Sequence, residues 1–390
     1  MTITSPKRIG ALALMAAVAV GACSSGATQT PAQTTAPPTA PASEAPSEAP
    51  SQPAMTAPTV PTGDVSLTGA GATFPAPLYQ VWFEEYGKLH PNIQIDYQAI
   101  GSGGGIKNIT EQTVDFGASD AAMKDEEIAA LPAGTQILHI PTALGAVVVI
   151  FNVPGLTDLK LDGPTTAGLF LGTITKWNDP AIAALNSGVT LPDADVVVVH
   201  RSDGSGTTNA FTSYLAAVSD DWKNGPGVGK DVQWPTGIGA KGNDGVAATT
   251  KQTAGSVGYV ELQYAAQAGL ASASLKNADG NFVQGSTAGV TAAADAAAAD
   301  FPADFRAEPI INGAGPDTYP IAAYTYLLIY VDQKDEAKGQ ALVAFTHWAL
   351  TDGQAMENDL GYAPLPASVQ TMAIDELHKI TFGGTPIWGM

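Results

Sequence analysis

Cysteine is all but missing from this 390-residue chain: Cys23 stands alone, so no internal disulfide can staple it. Positive charge is scarce as well, with 17 lysines and arginines against 37 acidic residues and a net charge of −20. That balance argues against nucleic acid and against an anionic membrane surface as partners. It leaves small anions open, because one placed cation and local dipoles outweigh net charge at short range. The five histidines (His90, His139, His200, His347 and His378) show no metal-ligand spacing. That speaks against a metal hydrolase, and no metal site is assigned. Neither a G-x-x-x-x-G-K-[ST] phosphate loop nor a G-x-S-x-G elbow occurs. The letters of "GIGAKG" (Gly237 to Gly242) fit a dinucleotide pattern, but they follow "QWPT" rather than a buried strand and read as a loop.

What is present begins with a processing segment. Lys7 and Arg8 precede "IGALALMAAVAVGA", an apolar run too short for a comfortable membrane span, and the run ends at "VGAC". Residues 1–22 therefore read as a signal peptide. A lone cysteine after small residues resembles a bacterial lipobox, which implies that Cys23 receives lipid and becomes the mature N-terminus. The following residues, up to about 63, are nearly all Ser, Ala, Thr, Pro, Gly, Gln and Glu. Such a stretch cannot bury enough apolar area to fold, so 23–63 reads as a lipidated cysteine and a disordered tether. The expected location is outside the cytoplasmic membrane, anchored to it by lipid only.

The remaining chain, at 45% hydrophobic residues overall, is long enough for two domains. "VSLTG", "IQIDYQAI", "QILHI", "GAVVVIFNV" and "DVVVVH" read as strands. "APLYQVWFEEYGKL" puts Leu78, Val81, Trp82, Tyr86 and Leu89 on one helical face, and "TNAFTSYLAAV" does the same with Phe211, Leu215 and Val218. The Ala-rich "TAAADAAAADF" reads as a surface helix. The alternation predicts an α/β fold with mainly parallel sheet.

Three times a strand runs into a loop of small residues where a helix begins: "SLTGAGATFPAPLY", "YQAIGSGGGIKNI" and "VVVVHRSDGSGTTNAF". Helix N-termini offer unpaired N–H groups, and small hydroxyl residues add donors without bulk. Taken singly, each loop is also an ordinary turn with a cap. Three together, one carrying Arg201, point to an anion. A guanidinium matches a tetrahedral oxyanion bidentately, and Asp203 two residues on can hold its fork. The alternative is a surface Arg–Asp pair. Asp120 in "VDFGASDAAM" reads either as an N-cap or as an acceptor for a ligand that carries a proton. The second role suits phosphate and opposes sulfate, which has no proton near neutral pH. An enzyme acting on phosphate esters would need a metal cluster or a histidine beside a serine, so no catalytic residue is assigned.

"LTGAGATFPAPLY", "GIKNITEQTVDFGASDA", "RSDGSGTTNAFTSYL", "GAKGNDGVAA", "VGYVELQYA", "GPDTYPIAAYTYLLIY" and "NDLGYAPLP" resemble the periplasmic phosphate-binding proteins of bacterial ABC-type phosphate importers. The resemblance covers residues 64–390. It implies a two-domain "Venus flytrap" with the ligand cleft between the domains. Its discontinuous first domain is 64–145 plus 317–390, around a second domain at 146–316. By motif it implies phosphate ligands at Thr73, Phe74 (through its backbone N–H), Ser102, Asp120, Arg201, Ser205, Gly206 and Thr207, with Asp203 pairing the arginine. It implies a monomer without cofactor that delivers inorganic phosphate to transmembrane permease subunits. His200 and Gly103 depart from the family pattern, where a basic residue and a second serine are common.

Overall fold

The longer apolar runs form the main strands of one ten-stranded sheet, which shorter strands complete. The computed structural model describes residues 57–389, so the expected signal peptide, Cys23 and most of the expected tether lie outside the described residues. The end of that tether lies against the body: Asn92 Nδ2 donates to Pro61 O at 2.9 Å and Gly63 O at 2.8 Å, and Val60 packs on the core. Ordered contacts thus begin before residue 64.

The main strands are β1 (Val65–Gly71), β2 (Ile93–Ala99), β3 (Phe116–Ser119), β4 (Ile137–Asn152), β5 (Val197–Arg201), β6 (Ile238–Ala240), β7 (Ser256–Glu261) and β8 (Ile321–Tyr330). Their order is β2-β1-β3-β8-β4-β7-β5-β6. β1 pairs parallel with β2 and β3, and β5 pairs parallel with β6 and β7. The centre is antiparallel, because β8 pairs in that sense with both β3 and β4, and β4 with β7. The expected mainly parallel sheet is therefore two parallel groups joined by an antiparallel middle. β4 changes partner along its length: up to Ala146 it faces β8, and from Val147 it faces β7.

β4 also corrects the sequence reading, which broke it in two around Pro141. Proline has no N–H for a central ladder. The chain solves this with a bulge: Thr325 faces Ala143 and Tyr326 faces Pro141, leaving Thr142 as the extra residue. Thr142 Oγ1 is then held by Tyr79 Oη at 2.7 Å and donates to Thr325 O at 3.2 Å.

The helices that matter for the site are α1 (Ala76–Leu89), α2 (Ser102–Thr110), α3 (Gly206–Val218) and α4 (Gly242–Gln252). α1 buries Leu78, Tyr79, Trp82 and Tyr86, and Trp82 Nε1 donates to Gly353 O at 3.0 Å. Its face stops one turn earlier than the spacing suggests, since Leu89 is 60% exposed. The Ala-rich segment forms a helix at Thr287–Ala297, but Val290, Ala293 and Ala294 are buried, so it is half core rather than a surface helix.

Candidate functional site

Each of the three small-residue loops lies where the pattern put it, between a strand end and a helix start: β1 to α1, β2 to α2, and β5 to α3. A fourth joins them. "GIGAKG" is a short edge strand, β6, beside β5, and α4 starts straight after it at Gly242 with φ +74°. The loops are tied by backbone. Ile100 and Gly101 N–H both donate to Gly71 O at 2.9 and 2.8 Å, and Ser202 N–H donates to Ala240 O at 3.0 Å. Gly103 N–H donates to Gly204 O at 2.9 Å, and a methyl on Gly103 would press on Gly204 Cα at 3.1 Å.

Ser102, Asp120 and Gly206 meet in one buried cluster. Ser102 Oγ accepts from Gly206 N–H at 3.0 Å and Asp120 N–H at 3.2 Å, and donates to Asp120 Oδ2 at 3.3 Å. Thr325 Oγ1 donates to Asp120 Oδ1 at 2.9 Å, from the position opposite the β4 bulge. Asp120 does not cap the helix Asp125–Ala129, whose N-cap is Lys124. Burial pushes its carboxyl up to about 7 from an ordinary 3.8, against the pull of the Thr325 and Ser102 hydroxyls and the Arg201 charge. The shift brings proton uptake by Asp120 towards neutral pH.

Arg201 is buried at the end of β5. Its Nε donates to Asp203 Oδ1 at 2.8 Å and its Nη2 to Asp203 Oδ2 at 2.6 Å. Gly242 N–H adds a third bond to Asp203 Oδ1 at 3.0 Å. Burial pushes the Asp203 carboxyl up, but the hydrogen bonds and charge of Arg201 outweigh it and hold it below the usual range. The pair is therefore not the surface pair that sequence left open. His200, next to it, stacks on Trp234 with ring centroids 4.7 Å apart.

Gly101 stands against this fork with φ +93°, and a Cβ there would lie 2.2 Å from Asp203 Oδ2. Gly101→Ala combines backbone strain with displacement of the carboxylate. The expected result is a loss of about 1–3 kcal/mol in denaturant unfolding, the usual cost of such strain, together with weaker anion binding by titration.

The remaining expected residues lie on the same elements. Ser205 Oγ caps α3 by accepting from Thr208 N–H at 3.0 Å, which leaves its own hydrogen to donate. Thr73 and Thr207 are buried, and Asn243 bridges them through Nδ2, at 2.8 Å to Thr73 Oγ1 and 3.1 Å to Thr207 Oγ1. The turn at Thr73 and Phe74 is gripped by its carbonyls: Tyr264 Oη donates to Thr73 O at 2.5 Å and Tyr362 Oη to Phe74 O at 2.7 Å. Tyr362 Oη also reaches the buried carboxyl of Glu261 at 3.0 Å.

Asn243, Thr325, Tyr264 and Tyr362 were not singled out in the sequence. Asn243 lies in "GAKGNDGVAA", a motif quoted above without a role. The only mark of Thr325 is a hydroxyl in the otherwise apolar and aromatic run "IAAYTYLLIY". Among the described residues, no group of three or more His, Cys, Asp and Glu is arranged to hold a metal ion.

Residues 30–352 match the family model of a PBP superfamily domain. The chain is 46% identical over 306 residues to a protein of Pasteurella multocida named phosphate-binding protein PstS, covering 78% of this chain and 87% of that one. The chain belongs to the PstS family of phosphate-binding proteins. A PstS from Methanocaldococcus jannaschii is 36% identical over 330 residues, covering 80% of this chain and 85% of its own. Two solved structures share the fold. A phosphate-binding protein from Stenotrophomonas maltophilia superposes with TM-score 0.65 at 22% identity, over 83% of this chain and 96% of that one. A phosphate ABC transporter substrate-binding protein from Clostridium perfringens, solved with bound phosphate, gives 0.55 at 19% identity, over 77% and 100%. The PstS relatives are named as binding proteins, not as enzymes. Among the described residues, no helix is long and apolar enough to cross a membrane.

Proposed function

We propose that this chain captures inorganic phosphate in the buried cluster and delivers it to the transmembrane permease subunits of an ABC-type phosphate importer. It acts as a substrate-binding protein without cofactor, and not as an enzyme. The observation that carries the reading is a set of buried donors gathered round one carboxyl, in a chain whose relatives are named for phosphate binding. Thr73, the Phe74 N–H, Arg201, Ser205 and Thr207 donate to the anion; the Ser102 hydroxyl and the Gly206 N–H, which otherwise bond Asp120 and Ser102, turn or share their hydrogens with it, and Asp203 fixes the fork of Arg201. Asp120 shares a proton with the ligand. When it is ionised it accepts from P–OH, and when it is protonated it donates to a bare oxygen. Each charge-assisted bond contributes roughly 1.5–3 kcal/mol, so a few of them offset the dehydration of the anion.

The cluster lies between two lobes, 64–145 with 317–390 and 146–316. The partner exchange of β4 at Ala146 and Val147 supports that division. Ligand-induced closure of the lobes reports occupancy to the permease. The protein acts as a monomer, and the N-terminal pattern ending at Cys23 supports an extracytoplasmic place on a lipid anchor.

Calorimetry on protein stripped of ligand by unfolding and refolding, titrated with phosphate and then sulfate, tests the reading. One-to-one phosphate binding with sulfate silent is the expected result. Binding of neither by the refolded protein would overturn it.

A further inference from the structure

Asn243 is fully buried at the start of α4, and the orientation of its amide is forced. Glu261 N–H donates to one side-chain atom at 2.9 Å, so that atom must be the oxygen, Oδ1. The other atom is therefore Nδ2, which can only donate, and it lies 2.8 Å from Thr73 Oγ1 and 3.1 Å from Thr207 Oγ1. The Asn243 backbone N–H adds a second bond to Thr73 Oγ1 at 3.2 Å. A hydroxyl has two lone pairs and one hydrogen. Thr73 Oγ1 has both lone pairs engaged and Thr207 Oγ1 has one. Among the described residues, neither hydroxyl hydrogen has a protein acceptor.

We infer that Asn243 is a positioning residue that sets the polarity of the site: by donating to both threonines, it fills both lone pairs of Thr73 Oγ1 and one of Thr207 Oγ1, and so keeps both hydroxyl hydrogens free for the bound oxyanion. The inference rests on the phosphate reading above and names a determinant that touches no ligand. An unheld hydroxyl would rotate freely and turn a lone pair towards an anion as easily as a proton. Asn243 removes that freedom at Thr73 and restricts it at Thr207, on two different loops.

Asn243→Asp is nearly isosteric and reverses the bond direction. Its free carboxylate oxygen would accept from both hydroxyls and leave lone pairs facing the anion. Phosphate titrations at pH 8 on four folded proteins, with folding checked by thermal melting, separate this role from simple support or added charge. In the parent, Thr207→Val removes a donor, and affinity falls about tenfold. In Asn243→Asp, the same Thr207→Val removes an acceptor that faces the anion, so affinity rises severalfold. Equal losses in both backgrounds would overturn the inference. If Asn243→Asp does not fold, Asn243→Ala replaces it. There Thr207→Val is expected to cost well under the parental factor, and an undiminished cost would overturn the inference. Failure of the parent itself to bind phosphate would instead remove the functional reading on which this one stands.

Discussion

Arg201→Ala is expected to weaken phosphate binding by about 2–5 kcal/mol, from roughly thirtyfold to several thousandfold. Two N–H bonds of the guanidinium are committed to Asp203, so of its five donors three remain for an anion. All lie in a buried setting where water cannot replace them. The same substitution strands Asp203, whose carboxyl is held low mainly by Arg201 against the cost of burial. Stability should therefore fall along with affinity. Adding Asp203→Asn to Arg201→Ala separates the two effects: it should return much of the stability and none of the binding. Arg201→Lys should also bind poorly, because an ammonium cannot grip Asp203 and the ligand with one planar fork. Titration calorimetry and denaturant unfolding of the three variants provide the check. A negligible loss of affinity in Arg201→Ala would remove the arginine from the site.

Asp120→Asn is expected to narrow the gap between phosphate and sulfate at pH 9 by roughly 2–3 kcal/mol, since protonating a carboxyl of pKa about 7 costs about 1.4 kcal/mol for each pH unit above it. The asparagine keeps an oxygen for Thr325 but brings no charge to repel a fully ionised anion. In the unchanged protein, sulfate binding should improve as pH falls through about 7, where Asp120 takes up its proton. In the variant it should stay level with pH.

Stability of the ligand-free protein should follow the same carboxyl. Its folded pKa lies above the unfolded value, so folding favours the protonated form. That contribution is full below about pH 4 and is lost as pH rises to about 7. Asp120→Asn does not titrate, so it should be the more stable protein at pH 8, with the difference closing towards pH 4. Sulfate that stays silent throughout, with phosphate affinity unchanged in the variant, would refute this account of Asp120.

The site was legible in the sequence wherever its chemistry is local. A strand end, a loop of Gly, Ser and Thr and a helix start are consecutive in the chain. Arg201 and the three loops could therefore be placed from spacing, while Thr73, Ser102 and Gly206 within those loops were named by the family resemblance. What escaped depends on distant partners. β6 did not look like a strand because an edge strand of three residues, two of them exposed, needs no apolar pattern. Its neighbour Asn243 was missed with it. Thr325 is 205 residues from Asp120, and only the register of β8 against β3 and β4 brings them together. "QILHI" and "GAVVVIFNV" read as separate strands, but a bulge at Thr142 carries one strand past Pro141 despite its missing N–H. The parallel groups were readable from alternating strands and helices. The antiparallel centre was not, because β4 and β8 are long apolar runs whose direction no local signal encodes.

The contact between Gly103 and Gly204 has a consequence for what the protein can admit. Two bare stretches of main chain touch there, with a 2.9 Å hydrogen bond and no side chain between them. In the proposed two-lobe reading Gly103 and Gly204 lie on opposite lobes, so this main-chain contact closes only as the lobes come together. A guest whose carbon substituent reached between them would hold the lobes apart, whereas a free tetrahedral oxyanion would leave the contact intact.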